Sequence, residues 1–257
     1  MPRRKTDRTG ERFLTNEGYE VVVVEYNNCL DILVQFQDKY KAIVHTSINN
    51  CKNGQVKNPY HPSVYGVGYF GVGKYKSREN CNKKDNSYYE DWLDLLKRGF
   101  DNKYKEKHPT YKDVIVNPEL YNFQNFAEWW HNNYYEIEGE RMCIDKDILV
   151  KGNKEYSFNT MIFVPQRINS LFIKRDACRN NLPIGVSYHK ETNKYMARCQ
   201  TLECQKYLGL YNTPKEAFLT YKKFKEQYIK QVADEYKDKI PQRLYNAMYA
   251  WEIEIDD

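Results

Sequence analysis

The sequence predicts an α+β protein built from several small modules. Three observations indicate this class: β-branched runs near the N-terminus, aromatic residues at helical spacing in the middle, and a strand-rich segment followed by a well-capped helix near the C-terminus. The 257 residues are 41% hydrophobic and 15% aromatic, which is enough to form cores. No apolar run approaches the roughly 20 residues that a bilayer span needs, so we expect no membrane segment.

The N-terminal part predicts a basic arm and a small β-rich domain. Residues 1–12 hold five Arg or Lys against two acids, and this arm either contacts phosphate or is simply solvated. Residues 13–75 contain apolar runs at 21–26, 32–36 and 40–44, which predict strands of a barrel-like module. Four glycines lie within 66–73 without the Lys-Ser/Thr of a nucleotide loop, and we interpret them as the turn that closes the barrel.

The central part predicts a polar linker at 76–87 and then a helical region with a ββα unit at 88–180. Two sets of residues share helical faces and predict core positions rather than base-stacking platforms. These sets are Tyr89, Trp92, Leu96, Phe100 and Tyr104, and then Leu120, Phe123, Ala127, Trp130 and Tyr134. Strands at 142–149 and 161–164 bracket a polar loop, and Pro165 begins the short helix of the ββα unit.

The C-terminal part predicts a three-stranded antiparallel sheet packed on a helix, over residues 181–235. The strands are expected at 184–188, 194–200 and 205–209. The helix begins with Thr213 as N-cap, Pro214 in the first turn and Glu216 three residues after the cap. Residues 236–257 add a final helix and an acidic tail.

This module resembles the APETALA/ethylene-response-factor DNA-binding domain in spacing and residue type. The resemblance is carried by Gly185-Val186, Lys194 to Arg198 and Tyr207 to Tyr221. The resemblance implies a three-stranded sheet in the major groove of duplex DNA, with the helix packed behind it. By aligned position, the resemblance implies that the side chains contacting DNA are Ser187, His189, Lys194, Arg198, Gln200, Gln205 and Tyr207, and that Tyr221 lies near a phosphate. Strand alternation agrees, because Arg198 and Gln200 share one face and both side chains suit purine edges.

The sequence departs from the plant pattern by having few Arg and no Trp on the sheet. DNA contact is therefore better supported than the reading of a particular sequence. A small scaffold that docks onto another protein is the alternative interpretation of this module.

The segment from Phe163 to Asn169 resembles the closing strand and helix of the phage HNH, or His-Me finger, endonuclease module. The resemblance places Asn169 at the third signature position, and Asp145-Lys146 where the family has Asp-His. It implies that Asp145 binds the metal. Asp145, Asp147 and an Asn are also suitable oxygen ligands for Mg²⁺, while two carboxylates flanking a Lys are equally typical of a surface charge cluster. Lys146 replaces the catalytic His and is a poor base at neutral pH. Asn153, Asn159 and Thr160 are the candidates for the middle position.

Together the two resemblances match phage-encoded homing endonucleases over roughly residues 88–235. Three functions follow: a duplex-DNA-binding protein with a degenerate nuclease site, an active Mg²⁺-dependent endonuclease or nickase, or a phage factor that binds a host protein.

The expected compartment is the cytoplasm, of the host cell if the protein is phage-encoded. His131 lies 14 residues before Asp145 and could replace the missing base only if the fold brings it to the site. The seven cysteines form no Cys-x-x-Cys pair, so no zinc is expected.

The charges are unevenly distributed along the chain. Lys and Arg number 40 against 35 Asp and Glu, a small excess of +5. Residues 181–231 hold nine Lys or Arg against four Glu, whereas residues 232–257 hold three against seven acids. The basic surplus coincides with the module that resembles a DNA reader, and this favours DNA as the partner.

Overall fold

Helices and small β-sheets alternate along the chain, which confirms the predicted α+β class. The computed structural model describes residues 7–77, 87–173 and 182–257. The first half of the basic arm and most of the predicted 76–87 linker lie outside the described residues. The chain divides into two compact units, Met1–Asn132 and Asn133–Asp257.

The first unit begins with a four-stranded antiparallel sheet. Its strands, in order across the sheet, are β1 (Arg12–Leu14), β2 (Glu20–Asn28), β3 (Asp31–Phe36) and β4 (Ile43–Thr46). Alternate residues of β2 and β3 point to one face and are almost completely buried. They are Val21, Val23, Ile32, Val34 and Phe36. The short helix α1 (Ile48–Lys52) adds Ile48 and Cys51 to this core.

The predicted barrel-like closure is wrong. β1 and β4 are the two edges of the sheet, and within the described residues no pairing joins them. The glycine-rich segment packs on helices instead. A Cβ on Gly68 would collide with Leu96 and Trp92, so only glycine allows this approach. Tyr69 also exchanges backbone hydrogen bonds with Tyr121 and Phe123, which fixes the loop to the helical part of the unit.

The helical part of the first unit contains three helices, two short 3-10 turns and one short strand. These are α2 (Ser87–Phe100), α3 (Asn102–Lys107), the turns Pro109–Tyr111 and Pro118–Tyr121, β5 (Ile115–Val116) and α4 (Phe123–Asn133), which ends just beyond the unit boundary. Trp92, Leu96 and Phe123 are almost fully buried, so these predicted core positions are confirmed. The first predicted helix does not continue through Tyr104, because Asp101 ends α2 and caps α3.

The second unit contains the ββα unit, a three-stranded sheet and two further helices. In chain order these are β6 (Met142–Asp145), β7 (Glu155–Tyr156), β8 (Ile162–Pro165), α5 (Gln166–Ser170), β9 (Val186–His189), β10 (Lys194–Gln200), β11 (Gln205–Tyr211), α6 (Pro214–Glu235) and α7 (Gln242–Tyr249). β6 pairs antiparallel with β8, and β10 lies between β9 and β11. The predicted strand at 142–149 ends early because the Asp145 carboxylate accepts the backbone N–H groups of Asp147 and Ile148.

Helix α6 belongs to two cores at once. Its N-terminal half places Ala217, Phe218 and Tyr221 against the three-stranded sheet. Its C-terminal half packs Ile229 and Val232 against the ββα unit and α7. A helix of 22 residues is about 33 Å long, which is longer than the sheet alone requires.

The acidic tail is part of the second unit's core. Ile253 is 4% exposed and belongs to the cluster between α6 and the sheet. Its backbone N–H donates to Glu226, while the Lys222 ammonium donates to its carbonyl oxygen. Among the described helices of both units, none combines the length and the apolar character that crossing a bilayer requires.

Candidate nucleic-acid interface

The outward face of the three-stranded sheet gathers seven of the eight residues predicted to contact DNA. Residues that pair across antiparallel strands point to the same face, so the register assigns each side chain. Lys194 pairs with His189, Arg198 with Tyr207, and Gln200 with Gln205. Ser187 pairs with Met196 on the same face. We call this the reading face: Ser187, His189, Lys194, Met196, Arg198, Gln200, Gln205, Tyr207 and Leu210.

The opposite face of the sheet forms the core. Val186, Ala197 and Cys199 point to that side and pack against α6. A β-bulge between Ala197 and Arg198 shifts the register, so that Leu208 as well as Gly209 turns away from the reading face. The bulge keeps Arg198 and Tyr207 as direct cross-strand neighbours.

The predicted contact residues are open to solvent. All seven are exposed except His189, which is half-buried, and Tyr207 has 62% of its surface exposed. Their side-chain hydrogen bonds stay within the sheet and its turns. Arg198 Nε donates to Met196 Sδ over 2.8 Å, Gln200 donates to the Thr201 carbonyl oxygen, and His189 bonds Thr192. Arg198 and the two glutamines thus retain hydrogen-bonding groups for another molecule.

The charged side chains of the reading face are all positive. The strands β9, β10 and β11 contain no aspartate or glutamate, and the face carries the two cations Lys194 and Arg198. Glu203, in the turn between β10 and β11, accepts instead from the Tyr228 hydroxyl of α6. A polyanion therefore meets no carboxylate on these strands.

Tyr221 is the predicted contact that does not lie on the reading face. It is 5% exposed in the core between α6 and the sheet. Its ring lies directly against Gly185, whose φ of +77° and missing Cβ leave room for it. The residue therefore supports the sheet from behind, and its burial gives the predicted phosphate contact no support.

Asp145 is positioned by the backbone around it. Its Oδ1 accepts the N–H of Asp147 over 2.9 Å and that of Ile148 over 2.8 Å. Burial, and then the nearby Asp147 carboxylate, raise the pKa of Asp145 to about 6. These bonds make Asp145 the residue that ends β6 and starts the following turn.

Lys146 stabilises the loop after β6. Its ammonium group donates to Asp147 Oδ2 over 3.2 Å and to the carbonyl oxygen of Asn153 over 3.1 Å. Asn153 returns a bond to the Lys146 carbonyl oxygen over 2.7 Å, which closes the loop. An ammonium donating to two acceptors is not arranged to take a proton from water.

Asn169 bonds neither Asp145 nor Lys146. Its side-chain amide lies 3.5 Å from Cys143 Sγ, two residues before Asp145 on β6. Asn153 and Thr160 make bonds within the loop, while the Asn159 carbonyl oxygen accepts from Arg243. His131 stacks on Tyr75 within the first unit, at a centroid distance of 4.9 Å.

The residues of the predicted magnesium site do not fit a bound metal ion well. One oxygen of Asp145 accepts two backbone bonds, and Asp147 pairs with the Lys146 ammonium, a cation that competes with a metal ion for this carboxylate. Among the described residues, no group of three or more His, Cys, Asp or Glu side chains is placed to hold a metal.

Two members of the reading face were missed by the sequence reasoning. Met196 and Leu210 pair with each other across β10 and β11 and form an apolar centre that is largely covered, since Met196 is 7% exposed and Leu210 is half-buried. Strict alternation along β10 could have identified Met196, since it lies between Lys194 and Arg198.

Comparison with known proteins identifies no relative of this chain. No family model, curated protein or solved structure matches it.

Proposed function

We propose that this protein binds duplex DNA through the reading face and that its ββα unit is a degenerate, non-cleaving relative of the HNH module. The observation that carries the proposal is the reading face itself. Six exposed polar or aromatic side chains and one half-buried histidine share one side of a sheet whose strands lack carboxylates.

The dimensions of the sheet suit the major groove. Three strands spaced about 4.8 Å apart are roughly 10 Å wide, against a groove width of about 12 Å. Arg198 and Gln200 lie two residues apart on β10, which separates them by about 6.8 Å, or roughly two base-pair steps. Arg suits the O6 and N7 edge of guanine, and Gln suits adenine.

The proposal is tested by selecting preferred duplexes from a random pool and measuring affinities by fluorescence anisotropy. We expect Arg198→Ala to lose about 10- to 100-fold in affinity for the selected duplex, and less for random DNA, because it removes a base contact. Lys194→Ala is expected to weaken binding to all duplexes and to lower the salt slope by about one.

The matched control is Lys223→Ala, which removes the same charge from an exposed position on α6, behind the sheet. It should leave affinity and salt slope unchanged. Equal effects of Lys194→Ala and Lys223→Ala, or no measurable duplex binding at low salt, would contradict the proposal.

The non-cleaving part of the proposal rests on the ββα unit, where Asp145, Lys146 and Asn169 each bond different partners. Nicking of supercoiled plasmid in Mg²⁺ or Mn²⁺ that Asp145→Ala abolishes would overturn it.

A further inference from the structure

A second positively charged surface lies in the first unit, around α3 and the 3-10 turn that follows it. Residues 97–113 hold six Lys or Arg against three acids. We define the basic patch as the four lysines of this segment whose ammonium groups form neither an ion pair nor a hydrogen bond with a described residue: Lys97, Lys103, Lys107 and Lys112. All are exposed except Lys97, which is half-buried.

Helix α3 contributes no buried residue to a core. A six-residue helix without an apolar face is not stable by itself, so its contacts with neighbouring residues must hold it in place. Asp101 caps its start by accepting the Tyr104 N–H over 3.0 Å. The Tyr104 ring lies against His108 at a centroid distance of 4.3 Å and an interplanar angle of 37°, with the Lys97 ammonium 4.9 Å from the Tyr104 ring centre.

The charges on α3 repel one another. Lys103 and Lys107 are four residues apart and therefore neighbours on one helix face, a like-charge arrangement that destabilises a helix. Neither residue forms an ion pair within the described chain. Of the three acids in the segment, Asp101 is the cap of α3, while Glu106 within α3 and Asp113 after the 3-10 turn are exposed. The arrangement costs stability and leaves the positive charge available to a partner.

Aromatic rings and hydrogen bonds connect the residues around the basic patch. The Arg98 guanidinium lies 5.6 Å from the centre of the Tyr111 ring, and Tyr111 lies 5.7 Å from Tyr104. The Lys105 ammonium is within 3.5 Å of the carbonyl oxygens of Lys112 and Val114, which joins α3 to the segment after the turn. The lysines of the patch are therefore presented from an ordered surface.

From these contacts we infer that the basic patch binds the phosphodiester backbone of nucleic acid without reading its sequence. Exposed ammonium groups attract the phosphates of a nucleic-acid backbone. The aromatic rings near these lysines can stack with bases of any sequence. This surface belongs to the first unit, whereas the reading face belongs to the second. The inference therefore does not depend on the reading face binding DNA.

The test uses the full chain with both Lys103 and Lys107 changed to Gln. Affinity for random duplex and for single-stranded DNA is measured by anisotropy across a salt series. We expect the duplex salt slope to fall by about 1.8, since each lost phosphate contact removes about 0.9. Between about 50 and 200 mM salt, the affinity of the variant should then decrease roughly tenfold less than that of the wild type.

The matched control carries Lys39→Gln and Lys52→Gln, which remove two charges from exposed positions elsewhere in the same unit. It should retain the wild-type slope. Thermal melting should show that K103Q/K107Q folds normally, because the substitutions remove a repulsion.

An unchanged salt slope for both strand forms would overturn the inference. So would a patch variant that binds DNA like the wild type but loses binding to phosphatidylcholine vesicles containing phosphatidylserine. If Arg198→Ala has no effect while K103Q/K107Q lowers the slope, the reading-face proposal fails and this one stands.

Discussion

Lys225 is a charged residue inside the core of the second unit. It is 6% exposed on α6, and it forms no hydrogen bond or ion pair with any residue that the structure describes. Burial lowers the pKa of its ammonium group, while the nearby Cys199 acts in the opposite direction. The protonated form of Lys225 is therefore costly in the folded state.

Replacing Lys225 by Met should stabilise the protein. We expect Lys225→Met to raise the free energy of unfolding by about 1–2 kcal/mol, because it removes a poorly solvated charge and keeps the volume. The gain should be largest at low pH, where both states are protonated. It should shrink as pH rises towards the unfolded pKa near 10.5, since the folded state loses its proton first.

Urea unfolding at several pH values measures this difference. Lys223→Met, two residues earlier and exposed, should change stability by less than about 0.5 kcal/mol. A destabilised Lys225→Met would mean that the ammonium group has a stabilising partner.

The reading-face residues were predicted from the resemblance, and strand periodicity agreed for Arg198 and Gln200, because successive side chains of a strand point to opposite faces. Tyr221 could not be placed in this way. Its helical stripe shows that it faces inward, but only the fold shows that Gly185 leaves a space for its ring. The roles predicted for Asp145, Lys146 and Asn169 came from resemblance, and each side chain bonds a different partner.

At the level of elements, the start of α6 was predicted correctly from sequence. The Thr213 hydroxyl accepts the Glu216 N–H over 3.2 Å, and the Glu216 carboxylate accepts the Thr213 N–H over 3.1 Å. This capping box is a local interaction, so the sequence contains all the information that determines it.

Removing the cap should weaken the second unit. Thr213→Ala is expected to lower the free energy of unfolding by about 1 kcal/mol, because the Glu216 N–H loses the hydroxyl that accepts its hydrogen bond. Thr220→Ala is the control, since its hydroxyl bonds only the Glu216 carbonyl oxygen within the same helix. Denaturant titrations of both variants give the comparison, and equal effects would argue against the cap.

Element ends elsewhere depended on side chains that periodicity does not detect. Tyr104 has the spacing of the α2 stripe, yet Asp101 interrupts the helix by capping α3. Asp145 ends β6 four residues early by accepting two backbone N–H groups. In both places an aspartate competes with the regular backbone pattern for hydrogen bonds.

At the level of the whole molecule, the sequence suggested separate modules, whereas α6 joins two cores within one unit. Sequence patterns report which face of a helix is buried but not which partner covers it. The stripe of α6 is continuous, and so the change of partner along its length, from the sheet to the ββα unit, leaves no mark in the sequence.

The tail of the second unit provides a test of this shared core. Ile253→Ala should lower the free energy of unfolding by about 2 kcal/mol, because it leaves a cavity between α6 and the sheet. Ile255→Ala, in the same tail but 48% exposed, should change it by less than about 0.5 kcal/mol. Thermal or urea unfolding checks the pair, and similar values would mean that the tail does not contribute to the core.

The double role of α6 also bears on how such a protein can change during evolution. A gene segment that encodes only the sheet and α6 would produce a helix whose second half exposes Tyr228, Ile229 and Val232 to water. Recombination that transfers only the sheet and α6 would thus transfer an aggregation-prone surface with them. The ββα unit can then be retained because it covers the apolar second half of this helix, whether or not the unit acts on DNA.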